Sequence, residues 1–564
     1  MRRPSAVGAA TYALLAGIVA AGLALRVWNI DHGRPFVFNV DEASHFARRA
    51  VTMLARGTLD PGYYQNPSAF TYLVYAAVRL ALDEGEVVRR FATDPTQVVV
   101  VGRAVAALLG VAGAVAAFAL GRRLWDAATG LVAAAIVAFA FLPVAFSRLA
   151  LTDVGTLAPV AVAVLGSVLA LERGSLQDFA LAGVGAGLAA GFKYTAGLVL
   201  VALLAAGVLR WRAERGREPL VGLAVGAVAA AGAFLVTTPF VVLELATASR
   251  QLGAQATAAG EPKLGQAGDS PVAYYLDSLT WGLGWVPALA AAIGAVVVAR
   301  REAGRAVVLL AFPLALFGYL STQERFFGRW LLPAYPVLAV LAAVALVTVA
   351  AWLARLVAPG RARWLAPAIL AALAALTLAQ PLAADWRSGR VLGREDTRAL
   401  ARAWLASHYP PNLRVTIEPE VPPLFFRQPG VGPPLFRRDF ELVAKARGLG
   451  YSDTLSPATL DRYRATGTCL VVTLGYVRGR VERDEDPDAA EYYGALERES
   501  RVLWRALPQR AGAEPLRFHF DLSYNGYPPG LERPGPEVRI LRLDRCRQRF
   551  GPLSPDERRA VAGE

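Results

Sequence analysis

The sequence predicts a polytopic α-helical membrane protein with a small polar α/β domain at its C-terminal end. Hydrophobic residues make up 55% of the 564 and charged residues 18%, with a mean hydropathy of +0.39. Soluble chains average roughly 45–50% apolar and about 25% charged. The apolar residues come in blocks that reach the about 20 residues needed to cross a bilayer. From about Asp385 onward the chain turns polar, Pro-rich and interrupted.

Run length predicts about eleven spans, near 7–27, 97–120, 127–146, 153–171, 177–192, 194–210, 219–240, 277–299, 305–322, 330–353 and 364–383. The first, opened by Met1-Arg2-Arg3, has the outline of a signal peptide. It is read as an uncleaved span because it sets the orientation of everything after it. The pair over 177–210 is short and joined by a tight turn at Gly191–Lys193. Loop charge tests the order. Alternate loops carry Arg122/Arg123, Arg173, Arg210/Arg212/Arg215/Arg217, Arg300/Arg301/Arg305 and Arg355/Arg361/Arg363, whereas the short loops between them carry fewer cations, Arg148, Lys193, Arg325 and Arg329. Excess Lys and Arg marks cytoplasmic loops. The N-terminus is therefore expected in the cytoplasm and, after an odd number of spans, the C-terminal domain outside it, in a bacterial-type inner or plasma membrane.

FTYLVYAAVRLAL, Phe70 to Leu82, is apolar but short for a span and suits an interfacial or re-entrant helix. Counting it as a span would invert every later loop and break the Arg pattern. Residues 28–96 are thus expected to form one large outer loop with two helices lying along the membrane, inside a membrane-embedded domain over 1–384. In the remaining 385–564, NLRVTIEP, TCLVVTLGYV and EVRILRLDR read as strands. DTRALARAWLASHYP reads as an amphipathic helix stopped by Pro410-Pro411. No internal repeat stands out.

A net charge of +14 and a pI near 10 raise a nucleic-acid partner. Much of the Arg lies in short loops, where it fixes orientation, and no basic stripe with interleaved aromatics exists, so no nucleic acid is expected. The two cysteines, Cys469 and Cys546, lie in the polar part without a CxxC or Cys/His cluster, which excludes a structural zinc site. A disulfide between them is expected if that region lies outside the cytoplasm.

Four features converge on the outer side of this topology: Asp41-Glu42 in FNVDEASHFARR, SRLALTD with Arg148 and Asp153, GFKYT with Lys193, and QERFFGRWLLPAYP with Arg325 and Arg329. Carboxylates and cations at headgroup depth can handle a phosphate-bearing lipid and a proton transfer together. Arg offers a bidentate fit to phosphate and Lys a point charge, and a carboxylate beside them can take a proton from an attacking hydroxyl. Each feature has a plainer reading. Juxtamembrane acids are often just solvated, arginines at span ends snorkel to headgroups, and Lys193 can simply mark a helix end. Asp41 and His45 share a helix face, so with Glu42 a divalent metal site is conceivable, though a fixed fourth ligand is missing.

At these residues the chain resembles the membrane-embedded GT-C glycosyltransferases of the protein O-mannosyltransferase and aminoarabinose (lipid A) transferase type, including bacterial members that use phospholipid carriers. The resemblance runs through Asp41-Glu42, ARGTLDPG, YYQNPSAFTYLVY, SRLALTD, AGLAAGFKYTAGL, TTPFVVLE, RWLLPAYPVLAVLAA and DTRALARAWLASHYPPNLRV. It implies a GT-C fold and transfer of a sugar from a polyprenyl-phosphate donor to a hydroxyl acceptor, with inversion. Asp41 would be the catalytic base, Glu42 would tune it or position the acceptor, and Asp153 would complete the site. Arg148 would hold the donor phosphate, with Lys193 and Arg329 as further phosphate ligands. His45, Tyr64 and Asn66 would contact substrate. Where family members commonly read His-Pro-Pro or Lys-Pro-Pro, this chain has Asn66-Pro67-Ser68, which removes a cation and puts the donor sugar or the mode of phosphate contact in question. No cofactor is firmly implied. A transporter or flippase of a lipid-linked sugar is the competing class, and it predicts charges near the middle of spans and discontinuous paired helices. A scaffold protein would leave Asp41, Arg148 and Asp153 unexplained.

Overall fold

The computed structural model describes residues 6–419, 421–422, 424–427, 435–436, 454–514 and 528–562. Among these, nine helices are long and apolar enough to cross a membrane, and ten if the bent pair Ala127–Phe139 and Phe141–Ser147, which meet at 54°, counts as one span. The span expected over 177–192 is the helix Leu176–Phe192, which has only 17 residues. The chain is a multi-pass membrane protein. Large apolar side chains such as Val228, Trp285 and Leu314 point outward from these helices, as lipid rather than water demands.

Small residues let the helices approach. A Cβ on Gly183 or Gly187 would strike the carbonyl oxygens of Gly226 and Ala230 on the helix Glu218–Thr237. This close backbone contact is the membrane substitute for hydrophobic packing, and it seats the short helix 176–192 against its neighbour. A polar staple lies elsewhere in the bundle. Arg26, in the last turn of Ala6–Val27, donates to Ser147 Oγ at 3.1 Å and to the carbonyls of Ala138 and Val137. Gly110, on Thr96–Leu124, leaves room for both side chains, since a Cβ there would collide with Ser147 Oγ and crowd Arg26 Nε at 2.7 Å.

The first long connection is more helical than two amphipathic segments. It holds Val40–Ser44, Phe46–Arg56, Ala69–Ala81 and Glu84–Arg90. Asn39 caps the first of these, its Oδ1 accepting from the backbone N–H of Asp41 and Glu42. Ala69–Ala81 is the short apolar helix expected from the sequence, and Phe70 meets Phe46 edge-on at 5.3 Å.

The last membrane helix runs unbroken over Ala362–Leu392, past the boundary expected near 385. Its polar turn is buried rather than solvated, because Asp385, Ser388 and Gly389 face the bundle and Gly389 lies against Trp28. Beyond it, a five-stranded sheet has β1 (Leu413–Ile417), β2 (Leu435–Phe436), β3 (Leu470–Leu474), β4 (Ser500–Ala506) and β5 (Val538–Leu543) in the order β2-β1-β3-β5-β4. β1 pairs in parallel with β2 and β3, and β5 pairs antiparallel with β3 and β4. The expected helix is there as Thr397–His408, capped by Asp396. Cys469 and Cys546 form a disulfide.

Gly110→Ala is expected to lower the thermal midpoint in detergent clearly, because the added methyl must displace Arg26 or Ser147. Gly232→Ala, on a helix where a Cβ meets nothing within 4 Å, should leave the midpoint unchanged or raise it slightly. Equal behaviour of the two variants would contradict the staple.

Candidate active site

The first connection is fixed to the bundle by a buried ion pair. Arg103, two turns into Thr96–Leu124, donates from Nε to Glu42 Oε1 at 2.7 Å and from Nη2 to Glu42 Oε2 at 2.8 Å. The same Oε1 accepts the N–H of Ala150 at 2.7 Å, and Arg103 Nη1 donates to the carbonyls of Ile30 and His32, each at 2.9 Å. Four chain segments thus meet at one bidentate pair from which water is excluded. The chain just before Asn39 is held from the other side. Phe36 lies in the core of the C-terminal domain with Leu405, Leu413 and Val415, and the Arg398 guanidinium sits 4.2 Å from the Phe38 ring centre.

Asp41 follows directly on this anchorage, and its side chain is 36% exposed into a cavity of about 370 Å³. Around it stand the charges brought by three other segments. Asp153 opens the short 3-10 turn Asp153–Thr156, Lys193 sits in extended backbone after Leu176–Phe192, and Arg329 lies at the start of the 3-10 turn Gly328–Ala334. Arg329 Nη2 donates to Asp41 Oδ2 at 3.0 Å and its Nε lies 4.0 Å from Asp153 Oδ2, while Lys193 Nζ donates to Asp153 Oδ1. The aromatic rings of Phe327 and Trp330 back the two cations, at 4.4 Å from Arg329 and 5.9 Å from Lys193. An alternating chain Asp41–Arg329–Asp153–Lys193 results.

His45 closes the site on another side. Its Nδ1 is 3.7 Å from Asp41 Oδ1, and its ring stacks on Tyr63 at 5.0 Å, 18° from parallel. Burial lowers the His45 pKa below its usual value against the opposing pull of Asp41, so the ring is neutral at pH 7. Burial also pushes the Tyr63 phenol up to about 12, and Asn66 Nδ2 donates to its oxygen at 2.7 Å.

The structure therefore brings Asp41, Glu42, His45, Asn66, Asp153, Lys193 and Arg329 to one cavity. Two expected residues are elsewhere. Arg148 is 1% exposed, its guanidinium donating to the carbonyl of Leu25 at 2.7 and 2.9 Å and to Ser388 Oγ at 2.7 Å. It ties the first and last membrane helices together and is not among the residues that line the cavity. The reason is local: Leu149–Leu151 turn sharply after the helix 141–147, so Arg148 and Asp153 face different sides. Tyr64 is likewise buried, with its hydroxyl on Asp60 at 2.6 Å, and its neighbour Tyr63 takes the wall position. Sequence reasoning missed Arg103, whose charge inside a hydrophobic run was a usable sign of a buried partner. It also missed Lys263, Arg398 and Arg480, which line the same cavity. Among the described residues no group of three or more His, Cys, Asp or Glu side chains is placed to hold a metal ion.

With this geometry in hand, three comparisons bear on the chain. Residues 96–242 match the family model described as dolichyl-phosphate-mannose-protein mannosyltransferase, a stretch that contains Arg103, Asp153 and Lys193. The apo crystal structure of the Archaeoglobus fulgidus oligosaccharyltransferase is similar over 88% of this chain and 73% of its own, with a TM-score of 0.55 at 15% identity. The chain has the GT-C fold. The archaeal oligosaccharyltransferase AglB from the same organism, in complex with an inhibitory peptide and a dolichol-phosphate, is similar over 94% of this chain and 88% of its own, with a TM-score of 0.52 at 12% identity. No curated protein sequence matches significantly.

In this chain, Glu42→Gln is expected to cost about 3–5 kcal/mol of stability, because it leaves Arg103 buried against a neutral partner. The measurement is the thermal midpoint of the purified protein beside that of Asp41→Asn, whose half-exposed carboxylate should matter little to folding. If the two variants melt alike, the pair does not anchor the site.

Proposed function

We propose that the chain is an inverting glycosyltransferase that moves a sugar from a polyprenyl-phosphate donor to a hydroxyl acceptor, working on the face of the membrane that carries the C-terminal domain. The observation that carries the proposal is Asp41, a carboxylate open to a cavity and flanked by Arg329 and Lys193 at the end of an apolar bundle. The match to a dolichyl-phosphate-mannose-dependent family over 96–242 and the dolichol-phosphate held by AglB support the donor class. A disulfide in the C-terminal domain supports an extracytoplasmic face.

The chemistry follows from who is free to react. Among the described residues four carboxylates line the cavity, Asp41, Glu42, Asp153 and Asp396. Glu42, Asp153 and Asp396 are nearly inaccessible and paired with Arg103, Lys193 and Arg398. Retention needs a nucleophilic carboxylate plus an acid/base, and a single open carboxylate suits one displacement. The acceptor oxygen forms a bond to C1 of the sugar as its proton passes to Asp41. The bond from C1 to the phosphate oxygen breaks, and polyprenyl phosphate leaves with the electron pair. Lys193 and Arg329 meet the charge that concentrates on the departing phosphate, the largest electrostatic demand of the step. Asp153 holds both cations in place, and neutral His45 with Tyr63 shapes the wall beside the base.

A flippase would need ionisable groups along a path through the bundle. Arg26 and Arg148 are instead enclosed there by carbonyls and hydroxyls, and the cavity charges sit at one end.

Incubation of the purified protein with a panel of polyprenyl-phosphate sugars, with water standing in as the hydroxyl acceptor, should release free sugar and free polyprenyl phosphate, and Asp41→Asn should slow that release by about 10²–10⁴ while melting like the parent. Activity of Asp41→Asn within about threefold of the parent would remove Asp41 from the base role.

A further inference from the structure

Two pairs of arginines face each other across β4 and β5. Arg505 and Arg539 are direct partners in the register, and Glu537 Oε1 accepts from both, at 2.7 and 2.5 Å. Arg501 and Arg542 are direct partners too, about 5 Å apart at Cβ, and neither forms an ion pair among the described residues. Like charges directly opposite on a sheet repel. One pair is therefore neutralised within the chain, and the other is open to a counter-ion from outside it.

The chain beyond β5 builds on the same place. Residues 543–548 turn back across the end of the sheet, with Cys546 tied by the disulfide to Cys469 just before β3. Arg501, Arg542, Arg545 and Arg547 line one shallow concavity of about 630 Å³ there, and among the described residues Asp544 is its one acidic residue. Arg545, Arg547 and Asp544 likewise form no ion pair among the described residues. Gln548 belongs to the same wall. Its Nε2 donates to the carbonyls of Arg414 and Arg549, both at 2.8 Å, which settles the orientation of the amide. Its Oε1 is left buried without a hydrogen-bond partner among the described residues. A buried acceptor of this kind calls for an N–H or O–H donor.

Aromatic rings adjoin these charges. Arg542 shares its face of the sheet with Val538 and Ile540. Trp504 stands opposite Ile540, which makes it a diagonal neighbour within reach of the Arg542 side chain. The Trp504 ring stacks on Trp404 at 6.2 Å, and Trp404 stacks on the exposed His408 at 4.2 Å. Guanidinium groups, an oxygen seeking a donor and a row of rings are the contacts that suit an anionic sugar chain. Its carboxylates or phosphates pair with arginine, its hydroxyls donate to the amide oxygen, and its C–H groups pack against the rings. We propose that this end of the sheet is a docking site for an anionic glycan. Nucleic acid needs open ring faces for its bases, whereas the rings here already stack on one another, and a bilayer surface is too flat to bring a donor to the recessed Gln548 oxygen. The cavity around Asp41 lies at the other end of β5, where Pro534 and Gly535 line it. Four residues of strand, roughly 13 Å, run from Val538 to Arg542. The docking site is thus separate and binds whether or not the cavity performs glycosyl transfer.

The test titrates the full chain in detergent with a galacturonic acid hexamer, followed by calorimetry. Saturable binding is expected, with the neutral galactose hexamer bound at least about tenfold more weakly. Arg501→Gln and Arg542→Gln should each weaken the acidic hexamer about ten- to hundredfold, the loss of one charge-assisted hydrogen bond. Arg501→Gln should melt no lower than the parent, because it relieves a like-charge pair. Lys193→Gln, in the cavity, should leave binding of the acidic hexamer unchanged. No binding, or a loss in Lys193→Gln as large as in Arg501→Gln, overturns the docking site. Equal binding of the neutral hexamer overturns the role of the arginines. Tighter binding of a single-stranded DNA hexamer or of phosphatidylglycerol vesicles gives the surface to nucleic acid or to lipid and overturns the glycan.

Discussion

The buried pair between Glu42 and Arg103 is the constraint on which the site depends. A membrane bundle can bury a charged arginine only if its donors are met, and breaking such a pair on one side costs several kcal/mol. Here the two guanidinium nitrogens aimed at Glu42 are matched by both carboxylate oxygens, and Arg103 Nη1 is met by two carbonyls. Because Glu42 also accepts from Ala150, the pair sets the first connection and the turn before Asp153 in one arrangement. Asp41 is adjacent in sequence to Glu42, so one residue of the acidic pair is spent on anchorage and the other is left to face the cavity.

The remaining charges are organised by alternation. Asp41, Arg329, Asp153 and Lys193 form a row in which each carboxylate has a cation beside it. Such a row keeps two cations at the mouth of an apolar bundle without a large net field, and in the proposed reaction these two would meet the donor phosphate. The C-terminal domain takes part in this arrangement. Phe36 sits in its core and Arg398 packs on Phe38, so the segment leading into Asp41 is held between the domain and the bundle.

Much of this was legible in the sequence, and what was not has physical reasons. Span positions follow from apolar run length, which lipid imposes strictly. Asp41, Asp153, Lys193 and Arg329 announced themselves as charges at span ends and in short motifs. Arg148 did too, and there proximity in sequence misled: it is five residues from Asp153, but the sharp turn over 149–151 sends it inward to Leu25 and Ser388. Tyr64 was expected at the substrate, but it is its neighbour Tyr63 that lines the cavity, since adjacent side chains in irregular backbone face opposite ways. In the sheet, β1, β3 and β5 read clearly from their β-branched runs. β4 did not, because SRVLWRA sits at the sheet edge with Arg501, Val502 and Arg505 exposed, a pattern without clean alternation. Lys263 and Arg480 belong to segments more than 200 residues apart, brought to one wall by the contacts of Gly265 with Asp484 and of Asp269 with Arg483.

In the proposed reaction one open carboxylate, Asp41, acts as a base in a single displacement at the anomeric carbon. The most direct test is NMR determination of the anomeric configuration of the first-formed product, made from a donor of known configuration before any equilibration. The expected result is inversion. Retention of the donor configuration would require a second reactive carboxylate in the cavity and would contradict it.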